Sequence, residues 1–189
     1  MATQAPLVYE DLESFPDDNL RREILGGELY MTPSPTRRHQ GVVLAIAIAL
    51  STHARRKGGH VYVAPLDTVL SAQNVVEPDV IFIAPDRQDT LGDKAVIGIP
   101  SLIVEVLSPG TKGVDRGRKR DIYARFGVPE YWIVDPDANT IECCSRPAGD
   151  RYEEIVTFES DMPAATLPDL TLTFDKIFSA QSSRAQSHP

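Results

Sequence analysis

Cysteine is nearly absent. Cys143 and Cys144, side by side, are the whole complement of the 189-residue chain. Neighbouring cysteines rarely bridge each other, and a lone tandem lacks the paired spacing of a zinc site. A disulfide framework and a structural zinc are both excluded, and reduced thiols in a cytoplasmic protein are expected. Long apolar runs are missing too. The longest, Val42 to Leu50, falls well short of the roughly 20 residues that cross a bilayer, so no membrane association is expected. The first residues show no basic, then apolar, leader, so no signal peptide is expected. There is no Gly-rich phosphate cradle, no Ser-His-Asp arrangement and no internal repeat. Positive charge is scarce, with 19 Lys and Arg against 27 Asp and Glu, a net charge of −8. A broad basic footprint for nucleic acid is therefore missing. What basic charge there is clusters at Arg37-Arg38, Arg55-Arg56-Lys57 and Arg116, Arg118 and Arg120; each cluster reads equally well as an ordinary solvated face.

The hydrophobic content of 42% and charged content of 24% are those of a globular protein. The length fits one domain over residues 1–178, followed by a polar, disordered tail over 179–189. Two segments read as strands buried on both faces. Ser101-Leu-Ile-Val-Glu-Val-Leu107 is bounded by Pro100 and Ser108-Pro109-Gly110, and Val80-Ile-Phe-Ile-Ala84 is entered through Glu77-Pro78-Asp79. Glu105 is the only charge in its run and shares a face with Ile103 and Leu107; Asp79 shares a face with Ile81 and Ile83. If the two strands are neighbours in register, both carboxylates meet at one end of the sheet. A helix is predicted from Val114 to about Phe126, stopped by Gly127 and Pro129, with Asp115, Lys119, Ile122 and Phe126 on its inward stripe and Tyr123 beside them.

Each of these charges also has a plainer reading. Glu105 can be a structural acid satisfied by a lysine or by amides. Asp79 can cap a turn. Lys119 can pair with Asp115 one turn earlier, worth roughly 0.3 kcal/mol. Their convergence on one sheet end favours a functional site, because a buried ion costs several kcal/mol unless it is paired or binds metal. Two converging carboxylates suit a hard divalent cation, most simply magnesium. A nearby lysine can orient water or stabilise charge on a phosphate. Together these are parts for metal-assisted phosphodiester hydrolysis.

The chain resembles the Uma2 family of the PD-(D/E)XK nuclease superfamily. The resemblance lies in Val76-Glu-Pro-Asp-Val80, Pro100-Ser-Leu-Ile-Val-Glu-Val-Leu-Ser-Pro109, Asp115-Arg-Gly-Arg-Lys119, Tyr123 and Gly127-Val-Pro-Glu-Tyr-Trp-Ile-Val-Asp-Pro136, with Gly27-Glu-Leu29 and Pro33-Ser-Pro35 before His39 upstream. It runs from about Leu20 to Phe178. It implies an α/β restriction-endonuclease-like core: a central mixed β-sheet flanked by helices and extended by β-hairpins. It also implies that Asp79 and Glu105 are metal ligands for Mg2+, with Mn2+ as an alternative, and that Lys119 is the third catalytic residue. The superfamily's usual lysine position is here Leu107; the lysine has moved to the following helix. The implied activity is an endonuclease acting on DNA, with a homodimer by analogy. The alternatives are a degenerate nuclease-fold binding module, which Leu107 and the acidic charge favour, and a metal-dependent hydrolase of another substrate.

The remaining pattern is coarser. Leu7 to Phe15 reads as a short helix or arm. Arg22–Leu25 and Glu28–Met31 read as a hairpin across Gly26-Gly27, and Thr36 to Arg56 as a helix. His60 to Leu70 reads as a strand, Asp86 to Gly98 as a polar loop, and Glu130 to Val134 as a strand. Thr140–Arg146 and Tyr152–Phe158 read as a hairpin, Leu170 to Phe174 as extended, and Asp175 to Phe178 as a helical turn. His39 is more readily a core histidine than a site residue, and Glu28 a hairpin surface residue. Tyr131 or Trp132 is a candidate for stacking on bases, though one of them must be core. His53 and His60 show no partner in the sequence pattern.

Overall fold

A computed structural model describes residues 5–16, 18, 20–32, 34–167 and 169–178; the tail expected to be disordered lies outside them. Strands β1 (Arg21–Leu25) and β2 (Glu28–Thr32) form the expected hairpin, in which Leu25 faces Glu28 across Gly26 and Gly27. Both glycines take positive φ, 61° and 79°, which a tight two-residue hairpin turn requires. Helix α1 (Arg37–Lys57) begins where the Thr36 side chain accepts from the His39 N–H and ends at Gly58. It buries the predicted stripe His39, Val43, Ile46, Leu50 and His53, and Val42 with them. The ring of His53 packs edge-on against Phe82, and that of His60 stacks on Tyr62.

The single strand expected over 60–70 is two. β3 (His60–Val63) and β4 (Asp67–Ser71) are separated by Ala64-Pro65-Leu66 and belong to different sheets. Pro65 has no N–H to give a ladder, so the chain leaves one sheet there and enters the next. β5 (Asn74–Val76), which has no counterpart in the expected pattern, turns back on β4 before β6 (Val80–Ile83). The polar loop expected over 86–98 holds a 3-10 turn and the short strand β7 (Ala95–Ile97).

β8 (Leu102–Val106) leads to the next helical region, which runs through α2 (Lys112–Val114), a π-helical stretch Asp115–Lys119, and α3 (Arg120–Arg125). Then come β9 (Glu130–Asp135), β10 (Thr140–Ala148), β11 (Arg151–Phe158), β12 (Met162–Pro163), β13 (Thr171–Leu172) and α4 (Phe174–Phe178).

The central sheet has the order β11-β10-β9-β8-β6-β3; β8 and β9 are parallel and its other pairs antiparallel. The β10–β11 hairpin extends it as expected. The N-terminal hairpin instead joins a second sheet, β2-β1-β5-β4-β7. Strand parity sorts the core. Leu102, Val104 and Val106 face α1 with Val80, Phe82 and Trp132. Ile103 and Leu107 face α3 with Ile122, Tyr123, Tyr131 and Ile133. Each fully buried Val, Leu or Ile contributes about 1.5–3 kcal/mol. The same alternation puts Glu105 on the α3 side.

Candidate active site

The register of two strands builds the site. β6 and β8 run antiparallel with Val80 opposite Val104 and Ile81 opposite Ile103. One step further along, Asp79 falls beside Glu105, as the sequence pattern required for a shared site. Asp79 is 4%, Glu105 3%, Lys119 3%, Asp115 2% and Glu23 2% exposed. Asp79, Glu105 and Lys119 line one cleft together with Arg21, His39 and Asp115.

Asp79 is held at both oxygens. Oδ2 accepts from the Val106 N–H at 2.9 Å and lies 3.0 Å from His39 Nε2; Oδ1 lies 3.2 Å from Arg21 Nη1. Arg21 also grips Glu77, through Nε to the carboxylate at 3.2 Å and through Nη2 to the backbone carbonyl. Burial pushes the Asp79 carboxyl up, but the His39 hydrogen bond, the charge of Arg21 and the Val106 amide together hold it below its ordinary value.

Glu105 differs. Its hydrogen bonds fall on Oε1, from Lys119 Nζ and the Tyr123 hydroxyl, each at 2.9 Å. Burial pushes its carboxyl up to about 8; Lys119 opposes the rise, while Asp115, Asp79 and Glu23 add to it. Lys119 Nζ also reaches Glu23 Oε1 at 2.8 Å and Asp115 Oδ1 at 3.7 Å. Burial alone would lower the lysine, but these carboxylates hold it above its ordinary range, so it stays an ammonium. Asp115 is raised, chiefly by burial.

Burial acts most strongly on each of these groups, and the neighbouring charges oppose or add to it. Four buried carboxylates, Glu23, Asp79, Glu105 and Asp115, gather around two cations, Lys119 and Arg21. Among the described residues no group of three His, Cys, Asp or Glu side chains stands as a ready-made metal cage. The donor set nevertheless suits a hard divalent cation. The donors are carboxylate oxygens, and the Glu105 hydrogen bonds leave Oε2 aside.

The helical stretch that carries Lys119 is not the regular α-helix the periodicity predicts. It widens to a π-turn over Asp115–Lys119, and the Tyr131 hydroxyl donates to the Asp115 carbonyl at 3.1 Å. A side chain satisfying a carbonyl that has left the regular ladder is a known cause of such a widening. Asp115 and Lys119 both stay buried against the sheet, as their spacing predicts.

Glu23 and Arg21 have no place in the sequence reading of the site. Both lie on β1, which reads from the sequence only as one arm of a hairpin. The available signal was Glu23 set directly before Ile24-Leu25, an acid entering an apolar pair. His39, read first as a core histidine, is buried and also touches Asp79; its Nδ1 has no hydrogen-bond partner among the described residues. Glu28 is an exposed hairpin residue paired with Arg118 at 2.6 Å. Tyr131 and Trp132 are both fully buried, so neither can stack on a base, because alternation sends them into the two opposite cores.

A family model described as "Uma2: Putative restriction endonuclease" matches residues 9–175. The chain belongs to the Uma2 family. Two proteins of Synechocystis sp. (strain ATCC 27184 / PCC 6803 / Kazusa) are related to it. The uncharacterized protein slr1290 is 29% identical over 119 residues, 60% of this chain and 60% of that protein. The uncharacterized protein sll1609 is 23% identical over 133 residues, 69% of this chain and 75% of that protein. The match thus spans under two thirds of slr1290. The fold is shared with a crystal structure described as a putative nuclease belonging to DUF820 from Anabaena variabilis ATCC 29413. That chain gives a TM-score of 0.76 at 17% identity, over 92% of this chain and 98% of that one. This Uma2 protein therefore has a restriction-endonuclease-like α/β fold, and among its described residues no helix is long and apolar enough to cross a membrane.

Proposed function

We propose that this Uma2 protein is a divalent-metal-dependent endonuclease that hydrolyses phosphodiester bonds of DNA. The observation that carries the reading is the pairing of β6 with β8, which sets two buried acids, Asp79 and Glu105, at one sheet end with Lys119 against the second. Asp79 and Glu105, with a backbone carbonyl near Val106, would hold magnesium, or manganese in its place. Such a cation supplies Lewis-acid polarisation of the phosphate and an acidified water. The chain's own groups do the rest. His39, Arg21 and the Val106 amide fix the Asp79 carboxylate in one orientation. Tyr123 and Lys119 fix Oε1 of Glu105 and so turn its other oxygen toward the cleft. The Lys119 ammonium orients the attacking water and offsets charge gathering on the phosphate. Asp115 restrains that ammonium from the preceding turn. In the same reading the protein is cytoplasmic and works as a homodimer, each copy supplying a site for one strand.

The test is cleavage of supercoiled plasmid, single-stranded DNA and RNA with Mg2+ and with Mn2+. Asp79→Ala and Glu105→Ala are expected to lose metal-dependent cleavage while keeping the wild-type circular dichroism spectrum. Cleavage at the wild-type level by either variant sinks the assignment. A second reading, a nuclease-fold binding module without turnover, is favoured by the burial of Leu107 at the superfamily's lysine position and by the multiple carboxylates on Lys119. It requires nucleic-acid binding with no cleavage, and no metal heat that depends on Asp79 and Glu105 in calorimetry. Cleavage of a substrate other than nucleic acid by the same acids would point to a hydrolase of another class.

A further inference from the structure

Lys119 has more acid around it than its role needs. A water-positioning lysine requires one partner to fix its reach, and Glu105 and Asp115 already supply that from the neighbouring strand and the preceding turn. The shortest of its contacts is nevertheless to Glu23, at 2.8 Å, from a strand of the other sheet. Glu23 is buried, and its Oε1 accepts a second hydrogen bond, from the Glu77 backbone N–H, also at 2.8 Å. Glu77 stands two residues before Asp79. A single carboxylate oxygen thus ties the lysine on the helical region to the turn that enters β6. Arg21, two residues before Glu23 on the same strand, makes the matching link to Glu77 and Asp79.

We infer that Glu23 is a positioning residue of the site: it anchors the Lys119 ammonium and the Asp79 turn to one point, so that both keep their place when Glu105 takes up a metal ion. The inference rests on the nuclease reading above. The chemistry is one of competition. Lys119 and a metal ion both draw on Glu105. Without a second strong acceptor, an ammonium that loses part of Glu105 would swing to Asp115, one turn away on its own helical region. Glu23 supplies that acceptor from a rigid hairpin, and it adds the negative charge that keeps the lysine inside a buried site. A purely structural ion pair would hold the two sheets together and nothing more. The shared oxygen predicts something further: removing the charge on Glu23 releases the lysine while the sheets stay joined.

The test uses Glu23→Gln, which keeps an acceptor for the Glu77 amide and removes the charge. Glu23→Asp, which keeps the charge and shortens its reach, is the second variant. The first readout is the slowly exchanging ammonium signal of Lys119 in protein carrying 15N-labelled lysine, assigned with Lys119→Arg and followed with and without Mg2+ alone. The signal is expected to persist in the wild type in both conditions and to broaden or vanish in Glu23→Gln when Mg2+ is added. The second readout is plasmid cleavage. kcat is expected to fall by about 10–100-fold in Glu23→Gln, with KM within about twofold, and to fall less in Glu23→Asp. An ammonium signal that behaves alike in wild type and Glu23→Gln overturns the inference, as does an unchanged kcat. If Glu23→Gln does not fold, the same two readouts on Glu23→Asp decide, in the same direction. If the wild type cuts nothing under Mg2+ or Mn2+, the nuclease reading falls, and the ammonium signal still decides whether Glu23 is the anchor.

Discussion

Glu105 and Asp79 are both buried acids, yet their environments pull them in opposite directions. Asp79 accepts an amide hydrogen bond and sits against Arg21, whereas Glu105 faces three other carboxylates with one lysine. The two respond oppositely to pH. Glu105 has a folded value of about 8 against an ordinary 4.5, so the metal-free folded state binds the extra proton. Its contribution is complete below 4.5 and is lost as pH rises through about 8. Asp79, depressed below its ordinary 3.8, contributes above that value and loses its contribution as pH falls through its lower folded value. Magnesium needs the ionised carboxylate. Its affinity is therefore expected to rise between about pH 6 and pH 8 and to level off above, with protons released on binding. Calorimetry in buffers of different ionisation enthalpy measures both; an affinity flat across that range would show that Glu105 is not a ligand.

At the level of the element, the helical region carrying Lys119 is bonded by Tyr131 at its π-turn and ended by one glycine. Gly127 ends α3 with φ of 74°, and the Val128 N–H closes the turn onto the Tyr123 carbonyl at 2.9 Å. A Cβ there would meet no atom within 4 Å, so the cost of Gly127→Ala is backbone strain alone, about 1 kcal/mol. Gly117 lies inside the π-turn, outside the left-handed region and in open space. Gly117→Ala is expected to stabilise the protein by about 0.5–1 kcal/mol, because it narrows the unfolded ensemble. Urea denaturation of the two variants should shift in opposite directions. A destabilised Gly117→Ala would mean that the π-turn depends on that glycine.

For the molecule as a whole, the acidic charge balance bears on the proposed binding of nucleic acid. Three basic residues on the helical region carrying the lysine are already paired: Lys112 with Asp135 at 3.3 Å, Arg116 with Glu142 at 2.6 Å, and Arg118 with Glu28 at 2.6 Å. These pairings and the net charge of −8 weaken the displacement of counterions from a duplex. Binding of DNA in the absence of metal is accordingly expected to be weak, with a plot of log affinity against log salt no steeper than about −3. Fluorescence anisotropy over a salt series measures it. A slope near −6 or steeper would reveal a basic surface that the pairing conceals.

Much of the architecture was legible from the sequence. The apolar runs around Glu105 and Val80, the capped helix at Thr36 and the hairpins follow from periodicity and turn chemistry, which act over a few residues. So does the inward aim of Lys119. The ordered motifs around Asp79, Glu105 and Lys119 likewise pointed to the Uma2 family. Distance in the chain hid the rest. Glu23 and Arg21 lie more than fifty positions from the residues at 77 and 79 that they grip. Their charges gained partners only when the second sheet brought β1 against the turn into β6 and the helical region. The split of the segment over 60–70 and the π-turn likewise depend on partners elsewhere, a second sheet in one case and the Tyr131 hydroxyl in the other. Local preference determined most of the strands and helices and the acids Asp79 and Glu105. Only tertiary packing decided which cations those acids share, because burial and charge pairing depend on neighbours in space, not in sequence.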